Sequence, residues 1–321
     1  MSRLFGLIAL VLVALPAFTL YAVAIEADEM VRTAQDAEAQ GNDEAAFLLW
    51  KELAENGSLE GQFKLGYAYM YGKGTEINYE QAHEWLEEAA EDGHPAAQKE
   101  YGKLYDRGWG VEADMAEALE WYQKSADQGF GEAEHNLGVM NQNGWEVPKD
   151  IAQAVVWYEK AADNGVVFSM FNLGLIYAGV ETGQQDWTKA AEWYGRAADN
   201  DYAPAMVNLA DLLMKGQGVE YNLEQAMAYL NRAAELGNPV AIFRLGMANL
   251  TGMGIPRNQI EALKWFEIGT VLEHPTSSRQ ASRLLNSMPT DDIATARKAA
   301  QAFIEENKIT RGAASDNAQP F

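Results

Sequence analysis

Apolar positions between residues 61 and 96 fall into two clusters separated by glycines. Phe63, Leu65, Tyr67, Ala68 and Tyr69 crowd around Gly66, a density that predicts a short helix with several buried faces. Gly72 and Gly74 break that segment. Asn78 then stands three residues before Gln81, close to a capping box. In such a box the Asx oxygen takes an orphan N–H while the Gln or Glu side chain reaches back. The second helix so predicted carries Ala82, Trp85 and the doublet Ala89-Ala90, and Gly93 ends it as a C′ glycine. The segment reads as an antiparallel helix pair with a glycine loop on one edge.

This pattern recurs every 36 residues without insertion. One column reads Gly66, Gly102, Gly138, Gly174, Ala210, Gly246; a second reads Trp85, Trp121, Trp157, Trp193, Tyr229, Trp265. The capping column is Asx throughout: Asn78, Asp114, Asp150, Asp186, Asn222 and Asn258. Gly129, Gly165 and Gly237 repeat the stop signal of Gly93. A fixed period of this length marks stacked units, each burying its apolar face only against its neighbours. The Trp column is the expected filler of the space between units, each ring contributing roughly 2–3 kcal/mol on burial. The fourth unit departs from the pattern, with Val180 and Thr182 replacing loop glycines and Asp201 in the stop column.

The pattern L-G-x-x-Y-x-x-G-x-G, then an Asx cap and A-x-x-W-[LY]-x-x-A-A-x-x-G, resembles the Sel1-like repeat, a relative of the tetratricopeptide repeat. Leu65-Gly66, Tyr69, Gly72, Gly74, Ala82 and Trp85 carry the likeness in the first unit; Leu137-Gly138, Ala154, Trp157 and Tyr158 carry it in the third. It covers residues 61–276 as six repeats. It implies an all-α fold, a right-handed α-solenoid of stacked antiparallel helix pairs. Residues 25–60 read as a divergent capping pair with Trp50 near the Trp column, and 277–308 as capping helices, with Thr290 or Asp291 capping the last. Residues 309–321 read as a disordered tail.

The chain opens differently. Arg3 precedes the apolar run Leu4 to Leu15, Pro16 breaks it, and Ala22-Val23-Ala24 offers a small-residue cleavage site before Glu26, Asp28 and Glu29. This is the layout of a signal peptide over residues 1–24, cut after Ala24, and it implies export, with the periplasm of a Gram-negative bacterium the expected destination and secretion the alternative. The segment Leu4 to Ile25 is also just long enough to act as an uncleaved membrane anchor.

The chain has no cysteine, which removes disulfides, thiolate metal sites and a cysteine nucleophile. Its net charge is −23, and most of that is carried early. Residues 25–134 hold twenty-six Asp/Glu against eight Lys/Arg. Nucleic acid, which needs a basic footprint, is therefore not an expected ligand. An acidic half could steer a basic protein partner, or could simply be a solvated surface.

Some cysteine-rich members of the resembling family are linked to penicillin binding and β-lactam hydrolysis. That chemistry needs a serine activated by a lysine, and no S-x-x-K or K-T-G is present. Ser315-Asp316-Asn317 spells S-D-N, but beyond the last predicted helix. The histidines His83, His94, His135 and His274 lie in different units and are expected as plain surface residues, His83 with Glu87 one turn on. No metal site and no cofactor are expected, and the chain reads as a monomeric, non-enzymatic scaffold rather than an enzyme. The resemblance implies roles in complex assembly, envelope signalling or exopolysaccharide regulation.

Tetratricopeptide-like stacks present their first helices on a concave face, which places one groove column just before the Leu-Gly pair. That column reads Lys64, Glu100, Asn136, Asn172, Asn208, Arg244. Asn136, Asn172 and Asn208 can hold the backbone of an extended partner segment, since an amide both donates and accepts. Phe171, Val207, Phe243 and Met247 flank them as apolar contacts, and Arg244 would meet a carboxylate. The same Asn side chains could instead tie neighbouring helices together. On the loop edge, Trp109 and Trp145 occupy equivalent positions, either as partner hot spots or folded down on adjacent repeats.

Overall fold

The computed structural model describes residues 17–253 and 255–310, with side chains described from residue 27. The signal-peptide reading of residues 1–24 falls largely outside them, as do Ser315, Asp316 and Asn317. All regular structure among the described residues is helical. No described helix is long and apolar enough to cross a membrane. The chain forms two compact units, residues 1–130 and 131–321.

The first unit contains three helix pairs. These are α1 (Ala17–Ala39) with α2 (Asp43–Glu55), α3 (Leu59–Tyr71) with α4 (Tyr79–Glu91), and α5 (Pro95–Arg107) with α6 (Met115–Asp127). The second unit begins with α7 (Gly131–Asn143) and α8 (Ile151–Asp163), then α9 (Val167–Tyr177) and α10 (Trp187–Ala198). It continues with α11 (Ala203–Lys215) and α12 (Leu223–Glu235), and α13 (Pro239–Thr251) and α14 (Gln259–Val271). It ends with α15 (Pro275–Leu285) and α16 (Thr290–Glu306). Each unit is a stack of antiparallel pairs, the architecture of an α-solenoid.

All six Asx residues cap their second helices, each side chain accepting the N–H three residues on, at 2.9–3.1 Å. The reciprocal half of the box differs from expectation. Each Asx N–H donates instead to a first-helix carbonyl nine residues earlier, as Asn78 does to Tyr69 and Asp150 to Asn141. The cap therefore also fixes the loop, and Lys189 can replace Gln or Glu without loss. In the stop column Asp201 and Glu273 adopt left-handed φ values of 57° and 59°, as glycine does in the other repeats. The fourth unit, whose loop glycines Gly179 and Gly183 lie one position outside the usual columns, has a shorter first helix, α9. At the far end, α16 is capped by Pro289 with no side-chain bond; Thr290 and Asp291 lie inside the helix rather than capping it.

The core is organised chiefly one residue away from the tryptophans. Trp121 and Trp265 are buried as expected, but Trp85, Trp157, Trp193 and Tyr229 are only half-buried, while Leu86, Tyr122, Tyr158, Tyr194, Leu230 and Phe266 are buried throughout. One helical position is a rotation of about 100°, enough to turn a side chain from the pair's edge to its interior. The glycine column exists to receive these residues. A Cβ on Gly66 would lie 2.7 Å from Leu86, on Gly138 2.5 Å from Tyr158, on Gly174 2.4 Å from Tyr194 and on Gly246 2.5 Å from Phe266. Trp50, fully buried and 36 residues before Leu86, belongs to this interior column and not to the Trp column. With Asn42 capping α2, it extends the register of the repeats to the N-terminal pair. Cations one turn on cover the half-buried Trp157 and Trp193, Lys160 at 4.2 Å and Arg196 at 4.4 Å, and Lys124 lies 3.4 Å over the buried Trp121.

Candidate partner-binding face

In the second unit the first helices α7, α9, α11 and α13 carry the predicted strip, one short segment per repeat. Asn136, Phe171, Asn208, Phe243, Arg244 and Met247 are half-buried, a state that leaves part of each side chain for a partner. Phe171 packs on Tyr194 and Tyr202, with ring centroids 5.8 and 5.1 Å away, and Phe243 on Phe266 and His274 at 6.0 and 5.2 Å. Two residues sit deeper than a contact surface requires. Val207 is 4 % exposed and packs in the core, and Asn172 is 8 % exposed.

Asn172 and Asn208 do tie helices together. Tyr158 donates to Gln142 at 2.7 Å, and its oxygen meets the amide of Asn172 from the next repeat; Tyr194 and Asn208 repeat this pairing. Burial holds both phenols above the ordinary tyrosine range, so they stay protonated. Arg244 is already ion-paired with Asp211 of the preceding first helix. The signal for that pair was present in the sequence, since Asp211 occupies a neighbouring groove column one repeat earlier. Each tie uses only part of an amide's capacity of two donors and one acceptor with two lone pairs.

The two loop tryptophans part company. Trp109 stacks on Tyr79 at 5.2 Å with an interplanar angle of 19°. Trp145 is 43 % exposed.

The histidines are structural rather than plain surface groups. His94 and His274 are helix N-caps, each accepting a backbone N–H at 3.2 Å through Nδ1. His83 lies against Tyr101 at 3.1 Å rather than projecting freely. His135 is half-buried beside Ser169 at 2.8 Å, and desolvation lowers its pKa to about 4. Among the described residues no three His, Asp or Glu side chains are grouped to hold a metal.

The Sel1 repeat family matches six consecutive segments, residues 59–94, 95–130, 131–166, 167–202, 203–238 and 239–269, which together make up well over half of the chain. No curated protein sequence matches the chain. Among solved structures, it is similar to a protective antigen present in uropathogenic Escherichia coli strains that displays an SLR fold, with 28 % identity and a TM-score of 0.74. That likeness covers 86 % of this chain and 59 % of the antigen, so the chain spans less than two thirds of its relative's length. It is also similar to a Sel1 repeat protein from Oxalobacter formigenes, with 28 % identity, a TM-score of 0.68, and coverage of 75 % of this chain and 98 % of that one.

Proposed function

The chain belongs to the Sel1 repeat family, whose repeats commonly mediate protein–protein interaction, and from that premise we propose that it is an exported, non-enzymatic scaffold holding an extended segment of a partner protein along α7, α9, α11 and α13. The observation that carries this reading is the row of half-exposed amide and apolar side chains at one register position after another: Asn136, Phe171, Asn208, Phe243 and Met247. An extended backbone needs donors and acceptors at intervals, and apolar neighbours add affinity without demanding one sequence. Asn172 and Val207 support the strip from beneath, and Arg244, held by Asp211, offers its remaining donors at one end. Export would follow from removal of residues 1–24, and complex assembly or signalling in the cell envelope is the setting that fits an exported scaffold.

The test avoids the residues that tie helices. Asn136→Ala combined with Met247→Ala should leave the helical circular dichroism unchanged and weaken recovery of crosslinked envelope partners at least tenfold, about 1.4 kcal/mol. Undiminished recovery of the same partners would place the binding surface elsewhere, with exposed Trp145 the next candidate. N-terminal sequencing of the expressed protein tests export separately; a chain that keeps Met1 in the membrane fraction is anchored rather than released.

A further inference from the structure

The first unit is strongly acidic, yet its cations are not scattered. Of the eight Lys/Arg between residues 25 and 134, Lys64, Lys99, Lys103 and Arg107 lie on the first helices α3 and α5, and Lys73 follows α3 directly. The second helix α4 between them carries five glutamates and no Lys or Arg. On α3 and α5 the cations Lys64, Lys99, Lys103 and Arg107 stand with only the carboxylates Glu60, Glu100 and Asp106, so these two helices are locally cationic in an acidic unit.

Most of these cations are neutralised within the fold. Lys64 pairs with Glu38 at 3.0 Å, Lys99 with Glu100 at 2.5 Å and Arg107 with Asp106 at 3.6 Å. Lys103 is different. It is half-buried, and among the described residues no carboxylate lies within ion-pair distance of it. Its ammonium instead sits 5.7 Å from the Tyr71 ring centroid and 5.9 Å from that of Trp109. The nearest acids are committed: Glu100 to the Tyr71 hydroxyl at 2.8 Å and to Lys99, Asp106 to the Tyr122 hydroxyl at 3.4 Å and to Arg107. Desolvation by the surrounding side chains lowers the Lys103 pKa, which an incoming carboxylate would reverse.

A second feature adjoins it. Phe63, Tyr67 and Tyr71 form a continuous aromatic strip along one face of α3, with ring centroids 6.0 and 4.5 Å apart. At its start is a cavity of about 350 Å³ lined by Glu38, Phe47, Trp50, Phe63, Tyr67 and Lys73 among others. Glu38 in its wall is satisfied by Lys64 and by the Trp50 indole N–H at 3.0 Å, so the cavity offers aromatic walls and, in Lys73, an exposed cation without an ion pair among the described residues. At its other end the strip reaches Lys103.

We infer that this face of the first unit is a docking site for an acidic, extended segment of a partner protein, with an apolar side chain in the cavity and a carboxylate on Lys103. Phe63 to Tyr71 is eight residues of helix, about 12 Å, which an extended chain covers in three to four residues at about 3.3 Å each. The recognised pattern is therefore an apolar residue followed three or four positions later by Asp or Glu. The acidic surface of the unit does not forbid this, because charges beyond roughly 8 Å are screened at physiological salt, whereas the Lys103 contact is local and partly desolvated. The inference takes from the proposed function only that the chain binds partner segments; it concerns the first unit, where Phe63, Tyr67 and Lys103 stand in the columns that hold Phe171, Phe243 and Met247 in the second.

The test is selection of a displayed library of random peptides on the full chain, followed by fluorescence anisotropy of a labelled selected peptide. Peptides enriched in an apolar residue with Asp or Glu three to four positions on are expected. Lys103→Met, which keeps the stem and removes the charge, should weaken the acidic peptide at least tenfold and leave its Asn-for-Asp counterpart unchanged, while Lys103→Arg retains binding. If Lys103→Met fails to fold, Lys73→Met, at an exposed position, should weaken the same peptide several-fold. Enrichment of Lys or Arg instead, no enrichment, or equal binding of the acidic and amide peptides would overturn the inference. Asn136→Ala with Met247→Ala should not affect these peptides; loss there would assign them to the second unit's strip, sinking this site while leaving the proposed function standing.

Discussion

The two units use one backbone period to build different seams beneath their first helices. At the position after the first turn of each first helix, the first unit places Gln62 and Gln98, and the second continues with Glu134, Met170, Met206 and Ile242. Gln98 is satisfied by the Ala90 carbonyl and by Gln128, at 3.0 and 2.8 Å, and Glu134 by Asn164 at 2.8 Å. From Met170 onward that seam is dry, and a single apolar cluster runs from Ala154 to Ile309. Their first-helix faces differ in the same sense. In the first unit it is made of charge pairs and aromatic rings, and in the second of amides tied to buried tyrosines. The lesson is that a repeat fixes where a side chain goes while leaving its chemistry free. One period can therefore carry a polar seam through some repeats and a dry one through others.

The largest expected effect tests which column holds the second unit together. Tyr158→Ala opens a cavity over Gly138 and strands Gln142, and should cost about 3–5 kcal/mol. Trp157→Ala, at a half-buried edge position covered by Lys160, should cost clearly less. Because stability in such stacks is a sum of neighbour terms, the loss should appear as a separate early transition in urea melts followed by circular dichroism. Equal losses for the two variants would return the core to the Trp column.

Acid should separate the units next. His135 is held neutral in the second unit, with a pKa of about 4 against an ordinary 6.5, so the folded state excludes a proton that the unfolded chain binds. The stabilisation is complete above pH 6.5 and is lost as pH falls towards 4, roughly 3 kcal/mol at most. Glu132 opposes part of this by favouring the charged ring. In the first unit Glu60 is lowered by its bond from His94, so that contribution fades only as pH falls through the carboxylate range. His135→Gln should flatten the stability profile between pH 6.5 and 4; a profile identical to that of the unsubstituted protein would show that the ring titrates normally.

The smallest effect runs in the favourable direction. Gln62 donates to Glu88 at 3.0 Å but leaves its oxygen buried without a partner. The equivalent positions in the next two repeats are served by Gln128 and Asn164 at the helix C-cap, where the first repeat has Asp92, which cannot donate when ionised. Asp92→Asn should supply the missing donor and stabilise the first unit by about 1 kcal/mol. A decrease in its melting temperature would mean that the Gln62 oxygen is not the limiting defect.

The sequence alone determined the repeat, its length and its helix boundaries, because caps, stop glycines and loop glycines act within a few residues of themselves. Asn78 and Gly93 are legible without knowing any partner. It also placed Asn136, Phe171 and Phe243 on the first helices, where all three are half-buried. Only the tertiary structure decided which of two adjacent columns is interior. Trp85 and Leu86 are both apolar, and the choice rests on how closely Leu86 approaches Gly66 on the facing helix, some twenty residues away. The same holds for the pairings that changed the reading of the groove. Asn172 with Tyr158, Arg244 with Asp211, and Lys103 with no carboxylate at ion-pair distance among the described residues depend on which first helix lies beside which, and on how far each side chain reaches across. Local rules cannot supply that distance, because burial and pairing are properties of neighbours brought together by the stack.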